Sequence, residues 1–189
     1  MKRDRWAMAV LLAGAGVVSL SPRPAAAEVV EATPGGFVTK TTLTIAVSRA
    51  KLYDALVHAV GRWWDPAHTY SGDAKNLSID MRPGGCFCET LPNQGGVQHG
   101  VVVLVIPGKT LRIRGAIGPL QQDGLAGSLT FELADREGGT DVTMTYSVGG
   151  YRQGGVQALA PVVDSVLGGQ LRRLKGFAET GTPAATPAP

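Results

Sequence analysis

The amino-acid sequence predicts an α+β fold in which a seven-stranded antiparallel sheet wraps around a long carboxy-terminal helix, with short helices after the first strand. Three observations predict this arrangement. The spacing of apolar residues changes from alternation to a helical period near residue 48, alternation with short turns then dominates up to residue 148, and the helical period returns afterwards. A chain of 189 residues is long enough to bury one core of this kind.

The first predicted strand covers residues 37–47, FVTKTTLTIAV, where apolar and polar side chains alternate. Ser48 stands where a helix N-cap belongs, because its hydroxyl oxygen can accept a hydrogen bond from an unpaired backbone N–H. The apolar spacing then predicts one helix, or two short ones, over residues 49–63. Asp65 precedes a proline and is therefore disfavoured in the α conformation, which ends the helical region.

Six further strands follow, connected by short turns. In chain order they are NLSIDM, CFCETL, VQHGVVVLVI, TLRIRG, LAGSLTFEL and TDVTMTYSV. Short connections between consecutive strands predict antiparallel hairpins. Polar residues alternate with apolar ones in several of these segments, so one face of the sheet is expected to meet water.

The carboxy-terminal helix is predicted from a single apolar stripe. The stripe consists of Leu159, Val162, Val163, Val166, Leu167, Leu171, Leu174 and Phe177. Gly168 and Gly169 interrupt it, which predicts close packing against the sheet at that point. No other element can cover the sheet. Since a strongly twisted sheet curls around such a helix, a space between them is expected, and a small apolar ligand could occupy it.

The first 27 residues have the pattern of a secretory signal peptide. Basic residues precede the apolar run WAMAVLLAGAGVVSL, and small residues lead to a cleavage motif that ends at Ala27. An uncleaved amino-terminal anchor is the alternative. The predicted organisation is a signal peptide over 1–27, an extension over 28–35, one domain over 36–179 and a disordered Pro/Ala/Thr-rich tail over 180–189. The protein is thus expected to be exported, periplasmic or secreted, without stable membrane insertion after cleavage.

Charge excludes several classes of partner. The predicted leader contains four of the 18 basic residues and one of the 15 acidic residues, so the remainder carries 14 of each sign. A neutral domain lacks the electrostatic footprint expected for nucleic acid or an anionic membrane. The sequence also contains no Walker loop, no G-x-G-x-x-G, no G-x-S-x-G and no H-E-x-x-H motif, and no cofactor or metal is predicted.

The two cysteines, Cys86 and Cys88, stand two residues apart in GGCFCET. An exported protein favours pairing them, but residues i and i+2 of a regular strand are awkwardly separated for a disulfide. The favoured prediction is a pair of half-buried free thiols. A disulfide is the second alternative, and a metal site that adds His99 and Glu89 is the third.

The segment GRWWDPAHTYSGD concentrates aromatic and polar side chains after the first helix. Trp63 falls on the apolar face of that helix and is expected in the core. Trp64 must point elsewhere, to the mouth of the cavity or the rim of the sheet. His68 and Tyr70 lie in the loop at the same end, where a rigid scaffold often presents binding residues, although a loop histidine can also be merely solvated.

Two more polar residues could reach the interior. His99 shares an alternation phase with Val97, Val101 and Val103, but that strand is apolar on both faces, so periodicity leaves open which face is inward. Glu89 has the same ambiguity on its own strand. If both are inward and close together, they form a buried acid–base pair.

The order of elements, with the matches RWWDPAHTYSGDAKNLSIDMRPGGCFCE and LAPVVDSVLGGQLRRLKGF, resembles the SRPBCC superfamily of START-like, helix-grip proteins. Over residues 36–179 the sequence is most similar to bacterial polyketide-cyclase-like and chaperone-ATPase-activator-like members. The resemblance implies a deep cavity between helix and sheet, usually for a hydrophobic ligand and often without catalytic residues. No cyclase catalytic set can be matched residue by residue, and export would separate the chain from a cytosolic chaperone.

Three functional hypotheses follow. The first is a noncatalytic protein that binds a small hydrophobic or amphipathic ligand; its predicted contacts are Trp64, Phe131, Met144 and Tyr146 as apolar lining, with Glu89 and His99 as polar anchors. The second is a polyketide cyclase- or dehydratase-like enzyme that uses His99 with Glu89 or Tyr146 as acid and base. The third is an interaction module without an open cavity, whose protein partner the sequence does not identify.

Overall fold

The computed structural model describes residues 27–185. The predicted leader, except for Ala27, and residues 186–189 of the predicted tail therefore lie outside the described residues. Within residues 27–185 the strands are β1 (Ala27–Thr33), β2 (Gly36–Ile45), β3 (Leu77–Ile79), β4 (Cys86–Thr90), β5 (Gly96–Ile106), β6 (Thr110–Arg114), β7 (Gly124–Arg136) and β8 (Gly139–Tyr151). The α-helices are α1 (Arg49–His58), α2 (Val60–Trp63) and α3 (Ala160–Thr180).

The described strands form one antiparallel sheet in the order β1-β2-β8-β7-β6-β5-β4-β3, and α3 packs against it. The predicted α+β helix-grip arrangement is confirmed, but the sheet has eight strands instead of seven. The additional strand is β1, which occupies the predicted extension 28–35 and pairs with β2. Alternation did not reveal β1 because it is an edge strand whose register shifts between Val29 and Glu31 and whose side chains are mostly exposed.

The predicted helical region divides into two helices. Ser48 caps α1 as expected, since its side chain accepts a hydrogen bond from the Lys51 backbone N–H at 3.3 Å. α2 ends at Trp63, and Trp64 is already extended. Asp65 then caps a short 3-10 turn by accepting a hydrogen bond from the Ala67 N–H. The proline signal therefore marks the end of the helices correctly.

Two bulges in β5 change which residues face the interior. His99 has no partner on β4, because Gln98 pairs with Cys88 whereas Gly100 pairs with Phe87. A second register shift leaves Val103 without a partner on β6. The predicted shared face of Val97, His99, Val101 and Val103 is consequently wrong: His99 and Val102 are buried, whereas Val103 is exposed. Each bulge adds one residue and so reverses the alternation beyond it.

The cysteines form a disulfide, so the favoured prediction of free thiols is wrong. The Cα atoms of Cys86 and Cys88 are 5.3 Å apart, closer than the span of about 6.4–6.8 Å expected for residues i and i+2 in a regular strand. That contraction occurs beside the His99 bulge, which the sequence pattern did not reveal. The bridge also leaves no thiolate for the metal alternative.

The core lies between α3 and the concave face of the sheet. Leu171, Leu174 and Phe177 of α3 are buried there. Phe131 on β7 and Met144 on β8 are cross-strand partners in the same core. Among residues 27–185, no helix combines the length and the apolar character needed to span a membrane.

Candidate functional site

A cavity of about 480 Å³ lies between the amino-terminal half of α3, the loop after α2 and the connection between β6 and β7. Its walls are mostly apolar. The lining residues are Trp64, Ala67, His68, Thr69, Tyr70, Ile117, Gly118, Pro119, Leu120, Gln122, Tyr146, Leu159, Val162, Val163, Val166 and Leu167. Tyr70 and Val162 are 49% and 62% exposed, which places them at the mouth. An open space therefore lies beside the amino-terminal half of α3.

Trp64 forms one wall of the cavity and is held from several sides. Its indole N–H donates a hydrogen bond to the His68 carbonyl at 3.1 Å, which closes the loop onto the ring. The ring packs against Trp63 and, edge-on, against Phe87, with centroids 5.5 and 5.6 Å apart. Such aromatic contacts fix the orientation of the indole. Trp63 is in the core as predicted, and its indole N–H donates to the Ala55 carbonyl.

Tyr146 on β8 forms the floor of the cavity. Its hydroxyl donates to the Gly115 carbonyl at 3.0 Å and accepts from the Ile117 N–H at 2.9 Å. Gly127 makes this position possible, since a Cβ there would lie 2.7 Å from the Tyr146 hydroxyl. Burial raises the pKa of Tyr146 to about 12, although the hydrogen bond from Ile117 opposes the rise. The phenol is thus a neutral tether for the β6–β7 connection.

Glu89 on β4 holds the loop that carries Tyr70. Its carboxylate is almost fully buried and accepts hydrogen bonds from the backbone N–H groups of Tyr70, at 3.1 Å, and Ser71. Burial would raise the pKa of Glu89, but the hydrogen bonds from Ser71, Tyr70 and His99 outweigh it and hold the pKa below its usual range. An ionised Glu89 therefore fixes the Tyr70 wall of the cavity.

His99 completes this arrangement. Its Nε2 lies 3.0 Å from Glu89 Oε2, and since an ionised carboxylate only accepts, Nε2 is assigned as the donor. The imidazole packs against Phe87 and Tyr70, with ring centroids 5.1 and 6.0 Å away. Within the described residues, the buried Nδ1 has no hydrogen-bond partner. The acid–base pair that the sequence suggested is therefore present, directly behind Tyr70.

The structure separates the six predicted ligand contacts into three groups. Trp64 and Tyr146 line the cavity. Phe131 and Met144 are buried in the core and are absent from the lining, as are Glu89 and His99, which act on the cavity wall through Tyr70 and its loop. The sequence analysis singled out the Trp64–Tyr70 loop but not the β6–β7 connection, which contributes Gly118 and Pro119 to the lining.

The amino-terminal half of α3 supplies the remaining wall. Leu159, Val163 and Leu167 belong to the predicted apolar stripe, which was assigned to packing against the sheet. Nothing in the stripe distinguishes residues that contact the sheet from residues that face a cavity. Among residues 27–185, no group of three or more His, Cys, Asp or Glu side chains is arranged to hold a metal ion. The arrangement suits enclosure of an apolar molecule.

The family model described as "Activator of Hsp90 ATPase homolog 1-like protein" matches residues 46–179. This match includes both helices after β2, the six strands from β3 to β8, and nearly all of α3. No curated protein matches the sequence.

Solved structures share the fold at low sequence identity. A conserved protein of unknown function from Enterococcus faecalis, EF2215, has a TM-score of 0.59 and 15% identity, covering 88% of this chain and 83% of that protein. CalU16 from Micromonospora echinospora has a TM-score of 0.56 and 14% identity, covering 79% and 78%. The Aha1 dimer from Colwellia psychrerythraea has a TM-score of 0.51 and 19% identity, covering 75% and 96%. Identities in this range establish the fold alone.

Proposed function

The chain belongs to the family of Activator of Hsp90 ATPase homolog 1-like proteins within the SRPBCC superfamily, and from this premise we propose that it binds a small, mainly apolar molecule in the cavity beside α3. The observation that carries the proposal is the open cavity of about 480 Å³ with apolar walls. Cavities of about 300–1,000 Å³ with few polar groups are typical of small-molecule sites.

The volume of the cavity indicates the size of ligand that suits it. About 480 Å³ lies within the range of about 300–1,000 Å³ that is usual for small-molecule sites, and it suits one fused ring system or one acyl chain. The polar side chains of His68 and Gln122 lie on the lining, and both are exposed. A polar end of the ligand would therefore point towards the mouth.

We propose binding without catalysis, because the candidate acid and base groups are occupied by structural contacts. Both hydrogen-bonding functions of the Tyr146 hydroxyl are engaged with the β6–β7 connection. Glu89 accepts hydrogen bonds from two backbone N–H groups and His99, and neither Glu89 nor His99 lines the cavity. The enzyme hypothesis would require Tyr70 to move away from His99.

The binding proposal is tested with a charged substitution in the wall. Val163→Asp places a carboxylate on the cavity lining, whereas Ser165→Asp places it on an exposed turn of the same helix and serves as the control. We expect a fluorescent apolar dye to bind Val163→Asp at least about tenfold more weakly than wild type, since burying a charge against the ligand is costly. Ser165→Asp should bind normally. Equal affinities for all three proteins would contradict the proposal.

Native mass spectrometry provides a second, ligand-independent test. Protein purified under mild conditions from the producing host should carry a reproducible added mass that disappears on denaturation. Val163→Asp should carry less of that mass than Ser165→Asp. A wild-type protein that is always empty and also fails to bind the apolar dye would overturn the proposed function.

We also propose that the protein works after export. The amino-terminal pattern supports this, and so does the Cys86–Cys88 disulfide, because disulfides persist mainly in oxidising compartments. Cleavage after Ala27 would leave nearly all of β1 in the mature chain. Sequencing the amino terminus of protein from extracytoplasmic fractions should give Glu28, and retention of residues 1–27 on a cytoplasmic protein would contradict this.

The description of the family includes activation of a chaperone ATPase, but we do not extend that activity to this chain. An exported protein would not meet a cytosolic chaperone. The cavity, in contrast, provides a defined site for a small molecule. Ligand binding is therefore the function that the structure supports best.

A further inference from the structure

We propose that the Cys86–Cys88 disulfide is a redox-sensitive site that controls the Tyr70 wall of the cavity. In this proposal a dithiol reductant opens the bridge, β4 lengthens, and the loop held by Glu89 is released. The effect on ligand affinity rests on the proposed function, whereas the effect on the loop does not.

The disulfide shortens β4 immediately before Glu89. The Cα atoms of Cys86 and Cys88 are 5.3 Å apart, about 1 Å or more shorter than a regular two-residue step of a strand. Without the bridge, nothing covalent prevents β4 from adopting the regular spacing. A hydrogen bond tolerates donor–acceptor distances of only about 2.7–3.2 Å. A change of about 1 Å at β4 would therefore exceed that tolerance.

The two residues next to the sulfurs both act on the cavity wall. Phe87 lies between the cysteines and packs against Trp64 and His99. Glu89 follows Cys88 directly and accepts the hydrogen bonds from the Tyr70 and Ser71 amides. The disulfide is thus linked to the cavity through its two neighbours on β4. Phe87 contacts Trp64, and Glu89 contacts the loop that carries Tyr70.

The His99 bulge strengthens this coupling. Phe87 and Cys88 of β4 face three residues of β5, from Gln98 to Gly100. The bulge points His99 inward, where its Nε2 meets Glu89. If β4 lengthens, the pairing of Phe87 and Cys88 with β5 changes at the bulge that positions His99. The disulfide and the bulge therefore form one local unit.

The bridge is accessible and contributes little to overall stability. Both cysteines are only partly buried, on the face of β4 opposite Phe87 and Glu89. The disulfide joins residues with a sequence separation of two, and closing so small a loop restrains the unfolded chain very little. A role in the local geometry of β4 accounts for the bridge better than a role in global stability does.

The chemistry is an ordinary thiol–disulfide exchange. A thiolate of the dithiol attacks one sulfur of the bridge, the Cys86–Cys88 bond breaks, and the released cysteine thiolate takes up a proton. The second thiol of the reductant, as its thiolate, then attacks the mixed disulfide and expels the other cysteine, which is protonated in turn. Two electrons pass to the protein, and the reductant leaves as its own disulfide.

Amide hydrogen exchange on the ligand-free protein tests the proposal directly. We expect the amides of Tyr70 and Ser71 to exchange about tenfold faster, or more, after treatment with dithiothreitol, because each loses a hydrogen bond to a charged group. The Ala46 amide is a matched control, since it donates to the Glu179 carboxylate at the other end of α3. Its exchange should not change. Equal exchange of Tyr70 and Ser71 in both redox states would overturn the proposal.

A variant without the disulfide distinguishes the effect of losing the bridge from any other effect of dithiothreitol on the protein. The double variant Cys86→Ser/Cys88→Ser should show fast exchange at Tyr70 and Ser71 without dithiothreitol and no further change with it. If that variant does not fold, reoxidation of the reduced wild type must restore slow exchange. Failure to restore slow exchange, with the bridge re-formed, would contradict a reversible switch.

Dye binding distinguishes failure of the switch from failure of the proposed function. The oxidised protein should bind the apolar dye several-fold more tightly than the reduced protein, because the Tyr70 wall is ordered only in the first. Equal dye affinity in both states, with unchanged amide exchange, overturns the switch. Absence of dye binding in both states overturns the binding function, whereas a redox-dependent exchange of Tyr70 and Ser71 would still support the switch.

Discussion

The two halves of α3 lie in different surroundings. The carboxy-terminal half is sealed into the domain: Leu171 and Leu174 are fully buried, and Gln170 accepts a hydrogen bond from the Asp65 N–H at 2.8 Å. The amino-terminal half borders the cavity, with Val163 only half-buried and Val162 largely exposed. One continuous helix thus serves as a packing element at one end and as the wall of a site at the other.

Polar contacts reinforce this difference. In the carboxy-terminal half, Arg173 donates to the Trp63 carbonyl at 2.9 Å, and Lys175 donates to the Thr44 carbonyl at 2.7 Å. Glu179 accepts a hydrogen bond from the Ala46 N–H at 2.8 Å. These contacts anchor the carboxy-terminal half of the helix to α2 and to β2 and the residue after it. Because the helix is continuous, they also hold the amino-terminal half in place beside the cavity.

The largest expected effect is a difference in the free energy of unfolding between side-chain truncations in the two halves of α3. Leu174→Ala should lower the free energy of unfolding by about 2–5 kcal/mol, because it opens a void in a fully buried position. Val163→Ala should cost less than about 1 kcal/mol, since the methyl groups that it removes already border open space. Urea unfolding of both variants measures the difference, and similar losses would show that the two halves are packed alike.

The second prediction concerns Glu89. Glu89→Ala should lower the free energy of unfolding by about 3 kcal/mol, because it leaves the amides of the loop and His99 without their acceptor. Glu89→Gln keeps the size but only one acceptor oxygen, and its NH2 group faces at least one of these N–H donors, so it should lower the free energy of unfolding too, by less than Glu89→Ala does. A Glu89→Ala protein as stable as wild type would show that the loop is held by other contacts.

The same residue predicts a pH dependence. Because the folded-state pKa of Glu89 lies below its ordinary value of 4.5, its contribution is complete above that pH and is lost as the pH falls through the lowered pKa. The pKa of Glu179 is also lowered, since hydrogen bonds from Ala46 and Lys175 outweigh the burial that would raise it. The stability difference between wild type and Glu89→Gln therefore isolates Glu89 and should shrink on acidification. A constant difference across this pH range would contradict the assignment.

Tyr146→Phe tests the floor of the cavity. It removes the hydroxyl that joins Gly115 and Ile117 and should lower the free energy of unfolding by about 1–2 kcal/mol. The aromatic ring remains on the lining, so apolar dye affinity should stay within about twofold of wild type. Tyr151→Phe, at a 77% exposed position, is the control and should change stability by less than about 0.5 kcal/mol. A large loss of dye affinity in Tyr146→Phe would instead assign the hydroxyl to the ligand.

The smallest effect is expected at the boundary between the two halves. A Cβ at Gly169 would have only Arg172 Nη2 nearby, at 3.9 Å, so the close packing predicted from the sequence is not present at this position. Gly169→Ala should therefore raise the melting temperature, with a gain of up to about 1 kcal/mol from helix propensity. Gly176→Ala is the opposite control, because its Cβ would collide with the backbone of Ala184. Destabilisation by Gly169→Ala would show that this position has no room for a methyl group.

The sequence by itself determined the type and order of most elements. Alternation identified the strands from β2 onwards, Ser48 and Asp65 delimited the helical region, and one apolar stripe identified α3. These features are local, because each depends on residues within a few positions of one another. The same local signals suggested Trp64 for the mouth of a cavity or the rim of the sheet, and raised a pairing of Glu89 with His99 if both faced inward.

Only the tertiary structure decided which residues form the site. The β5 bulge turned His99 inward, Cys86 and Cys88 paired on a contracted strand, and Phe131 and Met144 packed into the core instead of lining the cavity. Each outcome depends on residues of another element, often far away in sequence, and a period of two or of 3.6 carries no information about such partners. An apolar side chain has the same pattern in the sequence whether it meets the sheet or an empty space, so the cavity itself follows only from how α3 lies on the sheet.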